Sequence, residues 1–145
     1  MGMLVPKKVK YRKWHTMRRN PKRVGMETRG TALSFGSFGL QAITAGRIKS
    51  IQLESARKAI SRSIKKTGKV WIRVFPDMPY TQKPAEVKLG KGKGDVQGYV
   101  VPVKPGRILF ELDGLTEEES RDVLRKAGSK LPVRSKIVTR LASNR

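Results

Sequence analysis

Positive charge constrains this sequence more than any other feature. The 145 residues carry 33 Lys and Arg against 11 Asp and Glu, a formal net charge of +22. Self-repulsion on that scale opposes a compact state, so a polyanion is the expected counterpart. Nucleic acid comes first, with an anionic membrane surface a distant second. The acids are also segregated: Glu111, Asp113, Glu117, Glu118, Glu119 and Asp122 fall within twelve residues that hold one base, Arg121. With six of the 11 acids and one of the 33 bases in that window, the rest of the chain has 32 bases against 5 acids, a net of +27. One small surface is expected to be acidic and nearly everything else basic, the pattern of a protein embedded in phosphate.

Several classes are excluded early. With no cysteine, disulfides, thiolate catalysis and cysteine-based zinc sites all disappear together. No apolar run has the length of a bilayer span. The basic N-terminus lacks the apolar segment of a secretory signal, and Trp14 and the Asn20-Pro21 break argue against a transit helix, leaving the cytosol as the expected compartment.

Residues 7–23 hold nine Lys and Arg, no acid, and the aromatic rings of Tyr11, Trp14 and His15. Apolar positions there are too sparse for a core face, so this stretch is expected to be disordered in isolation, within a basic N-terminal arm over 1–30. A single α+β domain over 31–145 follows. In "ALSFGSFGLQAI" (32–43), Gly36 and Gly39 suggest a bulge between Phe35 and Phe38. Leu53, Ala56, Ile60 and Ile64 form one stripe of a helix over 51–67, capped by Ser50 and stopped by Gly68. "KVWIRVF" (69–75) reads as a strand with Val70, Ile72 and Val74 on one side and Trp71, Arg73 and Phe75 on the other. Pro76, Pro79 and Pro84 argue for an irregular, extended loop over 76–97. A hairpin is expected from 98–104 and 107–112, across a type II turn at Lys104-Pro105-Gly106-Arg107. Thr116 and Glu119 form a capping box for a helix with Val123, Leu124, Ala127 and Leu131 inward, and a short strand ends the chain. The element order implies a mixed, mostly antiparallel sheet covered by two helices.

The candidate chemistry narrows to binding. "KLGKGKGD" (88–95) fails as a P-loop because Asp95 stands where the second glycine must be. It fails as a dinucleotide fingerprint because Asp95 and Gln97 occupy the third glycine positions. A mobile solvated loop is the plainer reading, but the flanking prolines and the net charge favour a basic finger able to approach RNA closely. The sole histidine, His15, has no carboxylate nearby to orient it as a base. The clustered acids fit helix capping and lack metal-ligand spacing. Arg57, Lys58 and Arg62 on the first helix read as phosphate contacts, while Lys65 and Lys66 also suit the helix C-terminus. Trp71 and Phe75 are expected in the core. Arg73 is either a solvent-edge residue or an RNA contact. Aromatics interleaved with bases in the arm suit RNA better than duplex DNA. A nucleoid- or chaperone-like factor and a nucleotide-hydrolysing enzyme are the competing readings.

Three stretches sharpen this picture: "KKTGKVWIRVFPDMPYTQKPAEVKLGKGKGDV" (65–96), "VKPGRILFELDG" (103–114) and "SFGSFGL" (34–40). Together they resemble the universal large-subunit ribosomal protein family numbered sixteen in the bacterial scheme, over about Met3 to Arg140. The resemblance implies a hammerhead-type α+β fold with no enzymatic role, no cofactor and no metal. It implies a structural constituent of the large subunit, in a cytoplasmic or organellar ribosome, joining late in assembly. Its partners would be 23S rRNA, A-site tRNA and neighbouring ribosomal proteins, with 5S rRNA and P-site tRNA as further candidates and neither membrane nor small-molecule substrate. Carried over by position, rRNA contacts would come from the arm (Lys7 to Arg23, with Lys7, Lys8, Lys10, Arg12, Lys13, Trp14, Arg18 and Arg19) and from Arg57, Lys58 and Arg62; Lys66 and Arg73 join them as candidates read from the residues themselves. Lys88, Gly90, Lys91, Gly92, Lys93 and Gly94 would form the loop facing tRNA and the peptidyl-transferase centre. Where many bacterial relatives have Arg-Met, this chain has Lys88-Leu89, which keeps the charge but loses the planar fork.

Overall fold

A computed structural model describes residues 4–16, 20, 23–64 and 67–140. The elements are β1 (Phe38–Ala42), β2 (Gly46–Lys49), α1 (Ser50–Ile64), β3 (Lys69–Ile72), β4 (Met78–Gln82), β5 (Asp95–Val103), β6 (Ile108–Asp113), α2 (Glu117–Gly128) and β7 (Ser135–Thr139). The fold is α+β, as the element order implies. The strands form two sheets rather than one, in the orders β3-β6-β1-β7 and β2-β5-β4. Every pairing is antiparallel.

The core follows from the apolar periodicity. In α1, Leu53, Ala56, Ile60 and Ile64 are all buried. They meet Val123, Leu124 and Ala127 of α2, and Leu40, Phe110 and Leu112 from the centre of the first sheet. The capping box of α2 is present: the Thr116 hydroxyl accepts from Glu119 N–H and the Glu119 carboxylate accepts from Thr116 N–H. At α1 the start lies one residue earlier than expected. Ser50 is the first helical residue, and Gln52 accepts the Lys49 N–H at 2.9 Å. Gly68 lies past the described end of that helix, and Leu131 packs on the core from beyond the end of α2.

Three expectations are corrected. The Lys104–Arg107 turn exists, with Gly106 at φ +99 and Arg107 N–H donating to the Lys104 carbonyl, but it makes no hairpin. It carries the chain from β5 in one sheet to β6 in the other. A sequence shows that two strands are joined, not that they pair. The proline-rich stretch forms β4 despite Pro79, because β4 is an edge strand and its missing N–H costs no ladder bond. The irregularity in β1 lies at Leu40/Gln41, not at Gly36 or Gly39.

Those two glycines are needed for space. A Cβ on Gly39 would stand 2.4 Å from Leu33 Cδ2, and one on Gly36 would stand 2.6 Å from the Leu112 carbonyl oxygen. Residues 31–36 therefore lie flat on the outer face of the first sheet. Gly36→Ala pushes on backbone rather than a movable side chain, so a loss of about 1–3 kcal/mol is expected. Its urea midpoint should fall; an unchanged midpoint would show that the loop can lift without cost.

The buried peg of this loop is Glu111, fully shielded from solvent on β6. Its carboxylate accepts the backbone N–H groups of Ser34, Phe35 (2.6 Å) and Gly36 (2.7 Å), and pairs with Arg73. Burial pushes this carboxyl up, but the three N–H donors and Arg73 outweigh it and hold it below its ordinary value. Glu111 is thus removed from the expected acidic surface. The exposed acids that remain there are Glu117, Glu118 and Glu119 in the first turn of α2.

Candidate nucleic-acid interface

The glycine-lysine stretch is the tip of the β4–β5 hairpin. Gly90 (φ +103), Lys91 (φ +57) and Gly92 (φ +91) are three successive left-handed residues. Only glycine adopts that region freely, so the alternating pattern is a backbone requirement as well as a charge pattern. Lys88, Lys91 and Lys93 are exposed and Leu89 is 98% exposed, so no apolar packing holds the tip; Lys83 Nζ donates to the Gly90 carbonyl within it.

The arm and the finger, separate in the sequence, come together in the structure. Lys13 Nζ donates to the Lys93 carbonyl at 3.1 Å, and Lys93 Nζ donates in return to the Trp14 carbonyl. Asp95, at the start of β5, faces Arg12 at 4.0 Å and Lys13 at 3.8 Å. These contacts are solvent-exposed and each contributes little, but they align two basic segments into one surface. Lys7, Lys8, Lys10 and Arg12 are exposed along it. Tyr11, Lys13, Trp14 and His15 line a cleft of about 330 Å3. Arg18, Arg19 and Lys66 lie outside the described residues. At the other end of the hairpin, Lys49 of β2 lies 5.4 Å from the Tyr80 ring, a cation the sequence did not single out.

On α1 the three candidate bases divide. Lys58 and Arg62 are exposed. Arg57 is turned onto the buried Glu54, donating from Nε at 2.9 Å and from a terminal nitrogen at 2.6 Å. The hydrogen bond from Arg57 holds the Glu54 carboxyl below its ordinary value, and the same bond raises Arg57. In this structure Arg57 is thus engaged as the counterion of Glu54. Arg73 is likewise turned inward, to Glu111, with its guanidinium 5.2 Å from the Phe35 ring. Both carboxylates are far away or unremarkable in sequence terms, which is why the partners were not evident. Trp71 is only part-buried and Phe75 is 47% exposed, so neither belongs to the core.

Among the described residues no cluster of three or more His, Asp or Glu side chains could hold a metal ion, and no helix is long and apolar enough to cross a membrane.

A basic arm braced on a glycine-lysine finger, with exposed Lys58 and Arg62 on α1, is the charge pattern expected of a nucleic-acid-binding protein. The chain belongs to the ribosomal protein L16p/L10e family, whose profile matches residues 6–138. Large ribosomal subunit protein uL16 of Buchnera aphidicola is 52% identical over 139 residues, covering 96% of this chain and 98% of its own. The proteins of the same name from Staphylococcus carnosus and Thermosipho melanesiensis are 54% and 53% identical over 138 residues. Each alignment covers 95% of this chain, with 93% and 94% of the respective relative. The chain is thus a ribosomal protein, a structural and non-enzymatic component, and the readings as a nucleotide hydrolase or a nucleoid factor fall away.

Proposed function

We propose that this chain is a structural constituent of the large subunit of the cytoplasmic ribosome that works as a shaped counterion. The arm (1–30) and the α1 face at Lys58 and Arg62 neutralise 23S rRNA backbone. The domain over 31–145 supplies the rigid body, and the finger is directed toward A-site tRNA beside the peptidyl-transferase centre. P-site tRNA, 5S rRNA and adjacent ribosomal proteins are the further neighbours of this arrangement.

The observation that carries the reading is the joining of arm and finger. Packed phosphates repel one another, and a basic segment lowers that cost only if it is held in a fixed path. The Lys13–Lys93–Trp14 exchange supplies a path that ends in an unpacked tip with three left-handed residues. Held only by exposed hydrogen bonds and by no buried apolar contact, such a tip is suited to an outside ligand.

Replacing Lys91 and Lys93 together with alanine separates the two roles. Subunits should incorporate the variant at normal stoichiometry while A-site tRNA affinity falls several-fold. Equal losses in incorporation and in tRNA binding would show that the finger has no role of its own.

A further inference from the structure

We propose that Phe35 and Trp71, backed by Arg73, form a stacking platform for one unpaired RNA base, distinct from the arm, the finger and the α1 face. The proposal rests on the reading of this chain as an rRNA-binding protein. β3 is one of the two edge strands of the first sheet. Its alternation turns Val70 and Ile72 towards the core and sets Lys69 and Trp71 on the opposite side, and Arg73, just past the end of the strand, stays on the sheet through its N–H, which donates to the Leu109 carbonyl. Lys69 on this side is exposed, Trp71 is half-buried, and Arg73 turns beneath the loop to Glu111.

Phe35 completes the platform from the loop that lies across the sheet. Its ring stacks on Trp71 with centroids 6.0 Å apart and planes inclined by 18°, yet 56% of the residue stays exposed. A ring that served only to cover Trp71 would not leave over half its surface in water. Nor is its position loose. The Phe35 N–H is held by the buried Glu111 carboxylate, the neighbouring Gly36 has no room for a side chain, and Arg140 donates to the Ser34 carbonyl at 3.0 Å. The aromatic face is presented by a rigid loop, so little ordering entropy is lost on binding.

Charge selects the occupant. Lys69, two residues before Trp71 and opposite Asp113 in the sheet, and Arg140, bonded to the residue before Phe35, are both exposed cations near the platform in the chain. An apolar peptide gains nothing from them, whereas a nucleobase brings a π-face for Phe35 and phosphates for Lys69 and Arg140.

Trp14 and Trp71 are the two tryptophans, so a Trp14→Phe background makes Trp71 the only emitter. In that full-length background, a short oligouridylate should quench Trp71 emission on binding, while an RNA duplex of equal length should not. Phe35→Ala should weaken oligouridylate binding about tenfold without lowering the melting temperature by more than a few degrees, and Phe35→Tyr should restore it. Quenching that is absent, or Phe35→Ala binding as tightly as the parent, would overturn the platform. Binding of 23S rRNA by the parent protein tells the two failures apart. If the parent protein binds 23S rRNA with a steep salt dependence while Phe35→Ala has no effect on oligouridylate binding, only the platform fails; if the parent itself does not bind 23S rRNA, the RNA-binding reading fails with it.

Discussion

Replacing Glu111 with leucine is expected to destabilise the fold by about 3–5 kcal/mol, the cost of removing one partner of a buried ion pair. The loss has two sources. The part-buried Arg73 guanidinium is left without its counterion, and the N–H groups of Ser34, Phe35 and Gly36 lose their acceptor beneath the loop. The melting temperature should drop by about 10 °C or more. Glu111→Gln, which keeps an acceptor oxygen but not the charge, should fall between leucine and the parent. A leucine variant within 1 kcal/mol of the parent, on the scale of an ordinary surface change, would mean that the loop is held by Leu33 and Phe35 packing instead.

The same carboxylate sets an acid limit on stability. Its folded pKa lies below the ordinary 4.5, so the folded state binds its proton less readily than the unfolded state does. Its contribution is fully present above the ordinary value and is lost as pH falls from there through the depressed folded value. Urea titrations between pH 7 and strongly acid conditions should show stability falling in that window. Glu54, depressed by Arg57, adds a second fall of the same sign. In Glu111→Gln the fall should be shallower; an identical slope would show that Glu111 titrates alike in both states.

The second large effect concerns RNA. Lys58→Ala with Arg62→Ala is expected to reduce the magnitude of the log–log salt slope of 23S rRNA binding by about 1.5, since each phosphate contact contributes about 0.7–0.9. At moderate salt this corresponds to a loss of roughly tenfold or more in affinity. The fold should be unaffected, because both side chains are exposed and off the apolar stripe. Arg57→Ala should behave in the opposite way: little change in salt slope but a loss of about 1.5–3 kcal/mol in stability, because the buried Glu54 carboxyl loses its hydrogen-bond partner. If Arg57→Ala lowered the salt slope as much as the double variant does, its guanidinium would have to leave Glu54 for RNA in the bound state.

Much of this was legible in the residues, and the reasons for success and failure are physical. Helix α1 was readable because its stripe is local, and α2 because its capping box spans four residues. The finger was readable because failed nucleotide motifs left a basic, glycine-rich loop with nothing to pack. Glu111 was not. Its placement beside other acids suggested an acidic surface, while its three N–H donors lie more than seventy residues away in the chain. Arg73 was ambiguous for the same reason, since an alternating strand shows which side a residue takes but not what covers that side. The proline-rich stretch was misjudged because proline forbids a central strand, not an edge strand, and position in the sheet is decided by distant partners. The meeting of arm and finger leaves no trace in either segment alone.

The most direct test of the counterion account is chemical footprinting of 23S rRNA in large subunits reconstituted with and without this protein, repeated across a salt series. The account predicts backbone protection along a continuous path, dependent on Lys58, Arg62 and the arm, and lost steeply as salt rises. An rRNA footprint that does not change on adding the protein, or that persists unweakened at high salt, would contradict it.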